Sequence, residues 1–241
     1  MHCLAAHASL RLAASWGFCA IVMTDTDFSE IAKRREAVLA QLDTATDTPP
    51  ALVAVTKTQP DGALDAILEA GQRVFGENRV QEAYTHWEDR RSQIKDLELH
   101  LIGPLQTNKA EEAVRLFDVI ETVDRPKLCV TLAKAEAKMS LSRRYLIQVN
   151  TGEEPQKAGI APDGLAALLE TANVQKLNIT GLMCIPPHAE PAGPHFALLA
   201  KLAREHGLTQ LSMGMSGDYV TAARLGATHV RVGTALFGQR S

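Results

Sequence analysis

The chain has 241 residues, 46% of them hydrophobic and 22% charged, with 25 lysines and arginines against 28 acids and a net charge of −3. That composition sustains a sizeable core, and the lack of a basic run argues against nucleic acid or an anionic membrane as partner. The four cysteines (Cys3, Cys19, Cys129 and Cys184) make no CxxC pair, and neither HExxH nor GxxxxGK[ST] occurs. Free thiols in a reducing compartment, the cytoplasm, are therefore expected, and a zincin or P-loop site is not.

In chain order, residues 1–22 form an apolar, acid-free leader that reads as an upstream-start extension or a disordered tail. The remainder, 23–241, reads as one domain. Asp25 or Thr26 is a candidate cap for a helix through Leu42. From residue 51, short β-branched runs alternate with amphipathic stretches. The expected strands are 52–57, 73–77, 99–104, 119–123, 145–150, 178–185, 210–214 and 229–234. Helical patterns such as 61–70, 80–94, 126–139, 163–171 and 194–206 lie between them, with Gly71 and Gly207 placed as C-terminal stops and Pro126 and Pro194 in first turns. Short strand–helix–strand connections imply parallel pairing through right-handed crossovers. Eight units are the number that closes a TIM (β/α)8 barrel. The early helix is expected to fill the place of the missing eighth.

A barrel gathers function at the C-terminal ends of its strands, and polar groups recur there: Lys57, Glu77-Asn78, Gly103 to Gln106, Asn150-Thr151, the SMGMSGD run and RVGT. Lys57 ends the apolar run ALVAV-T. A rim lysine that snorkels to water is the ordinary outcome at such a place. The last two strand ends give it company. Ser216 and Gly217 are expected at the start of a helix through Arg224, and Gly233 and Thr234 follow on the neighbouring strand. Backbone N–H groups and two hydroxyls there suit a phosphate. Arg231 shares the inward side with Gly233 and needs an acceptor, either a carboxylate or a pyridine nitrogen. Lysine, phosphate cradle and arginine together suit pyridoxal 5′-phosphate (PLP), with the Lys57 amine made nucleophilic by desolvation and nearby cations.

At these residues the chain resembles the PLP homeostasis protein family. The motifs AVTKTQP, FGENRVQE, HLIGPLQTNK, IQVNTGEEPQKAGI, GLMCIPP, LSMGMSGDY and VRVGTALFG carry the likeness, over about residues 25 to 238. The resemblance implies a fold-type III barrel like the N-terminal domain of alanine racemase, without its C-terminal β-domain. It implies PLP held as a Schiff base on Lys57, phosphate contacts from Ser216, Gly233 and Thr234, and Arg231 at the ring nitrogen. Asn78 would lie near the cofactor and Met213 would line the pocket. Gln59 and Arg79 depart from the family pattern at positions not expected to touch the ligand.

The resemblance implies binding, buffering and delivery of PLP without catalysed turnover, with apo PLP-dependent enzymes as candidate acceptors; the missing domain-swapped catalytic parts lead to the expectation of a monomer. Two other functions are compatible with the residues. One is an amino-acid racemase, with Tyr84 or a histidine as the second base. The other is a lysine-dependent aldolase acting on a phosphorylated sugar. Lys109 and Lys157 read as solvated loop residues, Cys184 as a buried inert thiol, and His100 and His229 as core or rim groups.

Overall fold

Alternation of side-chain direction explains how the short strands are used. In the first, β1 (Ala51–Val55), Leu52 and Ala54 join the large apolar cluster shared with the helices, so Val53 and Val55 face the other way. The computed structural model describes residues 25–239, and β1 opens a closed, all-parallel barrel. The remaining strands are β2 (Val74–Glu77), β3 (Glu98–Leu101), β4 (Val119–Val123), β5 (Arg144–Gln148), β6 (Asn178–Met183), β7 (Gln210–Ser212) and β8 (His229–Val232). Their order around the barrel is their order in the chain, and β8 closes on β1 with Leu52 opposite Val230 and Val53 opposite Arg231.

The helices are α1 (Asp25–Ala45), α2 (Asp61–Glu69), α3 (Val80–Gln93), α4 (Ala110–Leu116), α5 (Pro126–Met139), α6 (Leu165–Val174), α7 (Ala192–Glu205), α8 (Tyr219–Arg224) and α9 (Thr234–Phe237). α1 packs against α2 on one side and against α8 and α9 on the other, which seals the ring where an eighth crossover helix would stand. Tyr219 Oη donates to Gln41 Oε1 at 2.8 Å across that seam. The expectations for residues 1–22 lie outside the described residues, and the cap expected at Asp25 or Thr26 falls at their limit. No helix among the described residues is long and apolar enough to cross a membrane.

The core has two parts. The larger lies between strands and helices, with Phe75 and Trp87 in ring contact at 4.3 Å between centroids. Inside the barrel is a small apolar group, Val119, Leu146 and Met183, with Ile185 against it. The rest of the interior is unusually polar: His100, Glu121, Ser212 and Arg231 are all at most 3% exposed.

Most strands stop one to three residues earlier than their apolar runs suggest, because the chain leaves the ladder before the polar strand-end residues are reached. The helix expected to begin at Ser216 and Gly217 begins instead at Tyr219. Asp218 Oδ1 accepts from Met215 N–H at 2.6 Å, and Met215 O accepts from the amides of Asp218 and Tyr219. That closed turn holds Ser216 outside the helix.

Candidate functional site

Beyond β1 the chain carries Thr56, Lys57 and Thr58, and each neighbour of the lysine is tied down. Thr56 Oγ1 donates to Glu77 Oε1 at 2.6 Å. The amide of Thr58 donates to Glu82 Oε1 on α3. Thr58 has φ of 60°, a left-handed conformation uncommon outside glycine, so these ties hold a strained turn in place. Lys57 keeps the inward parity of Val53 and Val55 and is half-buried.

Lys57 lines a cavity of about 620 Å³ at the C-terminal mouth of the barrel, together with Asn78, Ser216, Gly217, Arg231, Gly233 and Thr234. Val55, Ile102 and Ile185 supply apolar wall, and Met215, Gln59, Gly238 and Gln239 complete the lining. Asn78 is placed by a close backbone approach: a Cβ on Gly103 would stand 2.2 Å from Asn78 O, so only glycine fits opposite it. Of the strand-end groups expected to converge, those of β1, β2, β7 and β8 meet here, as does Ile185 of the Met183-Cys184-Ile185 end of β6, whereas Gly103 to Gln106 after β3 are not in the lining. Asn150 and Thr151, after β5, are not in the lining; Asn150 instead ties its own loop through Glu154.

Met213 is a correction. Leu211 and Met213 both join the cluster facing the helices, and Met213 is fully buried there. Ser212 takes the inward place between them. The chain then turns at Gly214, whose φ of 92° suits glycine, and Met215 reaches the cavity instead. Gln59, expected to stand clear of the ligand, also lines the cavity.

In the same lining, the Ser216 hydroxyl accepts from the amides of Gly233 and Ala235, each at 3.3 Å. It therefore faces the first turn of α9 rather than that of α8. Gly233 leaves room beside β1: a Cβ there would meet Val55 at 3.5 Å. Ser216, Thr234 and these amides form a neutral donor set, the chemistry that holds a phosphate without a matching cation.

Arg231 has a carboxylate counter-charge close by, one of the two partners its sequence position suggested, but its hydrogen bonds go to a hydroxyl and a carbonyl. Its NH1 donates to Ser212 Oγ at 2.6 Å and stands 3.7 Å from Glu121 Oε2, while NH2 donates to Cys184 O at 2.8 Å. Glu121 is fully buried. Burial works against its charge, but hydrogen bonding from His100 leads the groups that hold its carboxyl down at about 2. Burial also opposes a charge on His100, yet its hydrogen bonds to Glu121 and Glu98 raise it to about 8. Of this set of inward polar residues only Arg231 was singled out from the sequence as a site residue; Glu121 and Ser212 were not, although polar side chains at inward positions of otherwise apolar strands were the available signal. Burial pushes the Cys184 thiol up to about 12, as suits an inert group.

Tyr84, the second base of the racemase alternative, and the two loop lysines expected to be solvated are absent from the lining, and the lysines are half-buried in ion pairs. Tyr84 Oη donates to Glu112 O at 3.2 Å, away from the cavity. Lys109 pairs with Glu112 at 2.9 Å and Lys157 with Glu154 at 2.6 Å.

A closed parallel barrel with a lysine, an arginine and an anion cradle at one mouth defines a class, and the family described as alanine racemase, N-terminal domain, matches residues 34–241. Two similar proteins are both called pyridoxal phosphate homeostasis protein. That of Pseudomonas aeruginosa is 42% identical over 78% of this chain and 84% of its own length. That of Vibrio cholerae is 40% identical over 78% and 85% respectively. PipY of Synechococcus elongatus, solved with PLP bound, superposes with a TM-score of 0.76 at 39% identity, over 86% of this chain and all of its own. The chain belongs to the pyridoxal phosphate homeostasis protein family.

Proposed function

We propose that this protein binds PLP at the barrel mouth and serves to hold and deliver it rather than to turn over a substrate. One observation carries the reading: Lys57, Arg231 and the Ser216–Gly233–Thr234 donor set line a single cavity. Its volume lies within the roughly 300–1,000 Å³ of small-molecule sites, and its donors match both an anion and an amine-reactive group. The names of the relatives and the PLP in PipY support it.

Bound here, PLP would supply an aldehyde able to join the Lys57 amine with loss of water. The chain does the rest. Ser216, Thr234 and the amides of Gly233 and Ala235 would hold its phosphate, the Arg231 guanidinium would serve its ring nitrogen, and Asn78 would border its ring. Ties from Thr56 to Glu77 and from Thr58 to Glu82 aim the lysine. Racemisation needs a second base on the opposite face. Among the described residues lining the cavity there is no tyrosine, histidine or carboxylate, which favours the carrier over the racemase.

Visible absorbance of PLP joined to the protein, abolished in Lys57→Ala, is the expected result, and its absence would remove the reading. Transfer of PLP to an apo-enzyme distinguishes the carrier, whereas steady racemisation of alanine or serine would establish the enzyme instead.

A further inference from the structure

The barrel interior carries more charge than the cavity needs. Arg144 NH2 donates to Glu98 Oε2 at 2.6 Å, His100 Nε2 meets Glu98 Oε1 at 2.7 Å, and His100 Nδ1 meets Glu121 Oε1 at 2.6 Å. Ser212 Oγ donates to Glu121 Oε2 at 2.6 Å and accepts from Arg231 NH1 at 2.6 Å. These contacts form one continuous column from the N-terminal end of the barrel to the cavity. Its donors and acceptors match throughout when His100 carries both ring protons, since each ring nitrogen faces a carboxylate.

The charged and titratable groups around His100 are Glu121 from β4, Glu98 from its own strand and His229 from β8, whose ring lies 5.5 Å away between centroids. Arg144 of β5 and Arg231 of β8 stand beyond the two carboxylates. His229 is held neutral, chiefly by burial and next by the charge of His100, which bring it down to about 4. Charge therefore alternates along the column. Glu98, His100 and His229 also offer ligand atoms within 4.8 Å of one another. However, the 2.7 Å between Glu98 and His100 is a hydrogen-bond separation, shorter than the roughly 3.3 Å that two ligands keep on a tetrahedral zinc. The geometry is that of an ion pair.

We propose that Glu121 and Ser212, backed by His100, are positioning residues for Arg231: the column fixes the guanidinium at the cavity floor and sets the field that a bound pyridine ring meets there. This rests on the reading of the cavity as a PLP site. A guanidinium 3% exposed has few ways to rotate while two acceptors hold it. Removal of the carboxylate leaves its charge uncompensated.

The experiment is PLP titration of the full-length protein and of Glu121→Gln, Ser212→Ala and His100→Gln, followed by absorbance between pH 6 and 9.5. The Lys57-dependent band is expected in all of them. In the Glu121 and Ser212 variants the Kd rises about tenfold, and in all three the pH midpoint of the band moves. Folded variants with Kd within about twofold of wild type and an unchanged midpoint would overturn the proposal. If Glu121→Gln does not fold, Ser212→Ala decides, because it deletes one oxygen. A wild-type protein without the band refutes the PLP reading itself. In that case NMR exchange of the Arg231 guanidinium protons still tests the column: faster exchange in Ser212→Ala supports it, and unchanged exchange overturns it.

Discussion

Glu77 and Glu121 invite comparison because their surroundings are so alike. Both are fully buried. Each accepts from a hydroxyl at 2.6 Å, Thr56 for one and Ser212 for the other, and each meets a histidine Nδ1, that of His86 at 2.8 Å and that of His100 at 2.6 Å. They differ in how the load is shared. Glu77 takes Thr56, His86 and the Trp87 indole all on Oε1, while Oε2 has no hydrogen-bond partner. Glu121 uses both oxygens and adds an arginine. The first faces the helices behind Lys57; the second lies inside the barrel beneath Arg231. One carboxylate anchors a backbone turn, and the other balances the charges of an ionic column. A carboxylate in the second role is much harder to replace.

The largest effect should come from Glu121→Ala, which leaves Arg231 and His100 buried with a missing counter-charge. A loss of about 3–5 kcal/mol is expected in urea unfolding. Glu77→Gln should cost less, about 1–3 kcal/mol, since the amide oxygen still accepts from the three donors and only the NH₂, on the side that had no partner, is left unsatisfied. Equal losses for the two variants would break the comparison. The same substitution should bring the His86 imidazole back down toward its ordinary value, because the Glu77 hydrogen bond is the chief cause of its rise, with burial opposing. An NMR titration reads this.

Stability against pH sharpens the contrast further. His100 is raised from 6.5 to about 8, so its contribution is complete below 6.5 and is lost as pH rises through 8. His229 is lowered from 6.5 to about 4, so its contribution is present above 6.5 and is lost as pH falls through 4. Glu98 and Glu121, each lowered from 4.5 to about 2, contribute above 4.5 and lose that contribution as pH falls through 2. Together these place an optimum near pH 6.5, and His100→Gln should flatten the decline between 6.5 and 8 in thermal melts. The smallest effect belongs to an exposed pair: Lys138→Ala, which removes the 2.8 Å contact with Glu111, should change stability by less than about 0.5 kcal/mol.

The alternation of strands and helices was legible because each buried run is short and each crossover has its own start and stop residues. Lys57 and the β7 and β8 ends were legible for a related reason: polar residues directly after an apolar strand must emerge at the mouth. What escaped was set by geometry between distant strands. Nothing local to His100 names Glu121 as its partner, and Ser212 and Glu121 lie 91 positions apart. Met213 was misplaced because the strand parity that turns Ser212 inward turns its neighbour outward. The start of α8 was misplaced because Asp218 folds back onto Met215, a side-chain choice that apolar periodicity does not record.

The seal made by α1 has a consequence for how the molecule comes into being. Gln41 and Tyr219 meet across 178 positions of chain, and β8 completes the hoop against β1. During synthesis the early segment can meet α2, but its other side must wait for α8 and α9 at the end of the chain. The contacts of Ser216 with the amides of Gly233 and Ala235 are therefore among the last features to form, and a nascent chain stalled before β8 has the lysine of β1 without the far wall of its cavity.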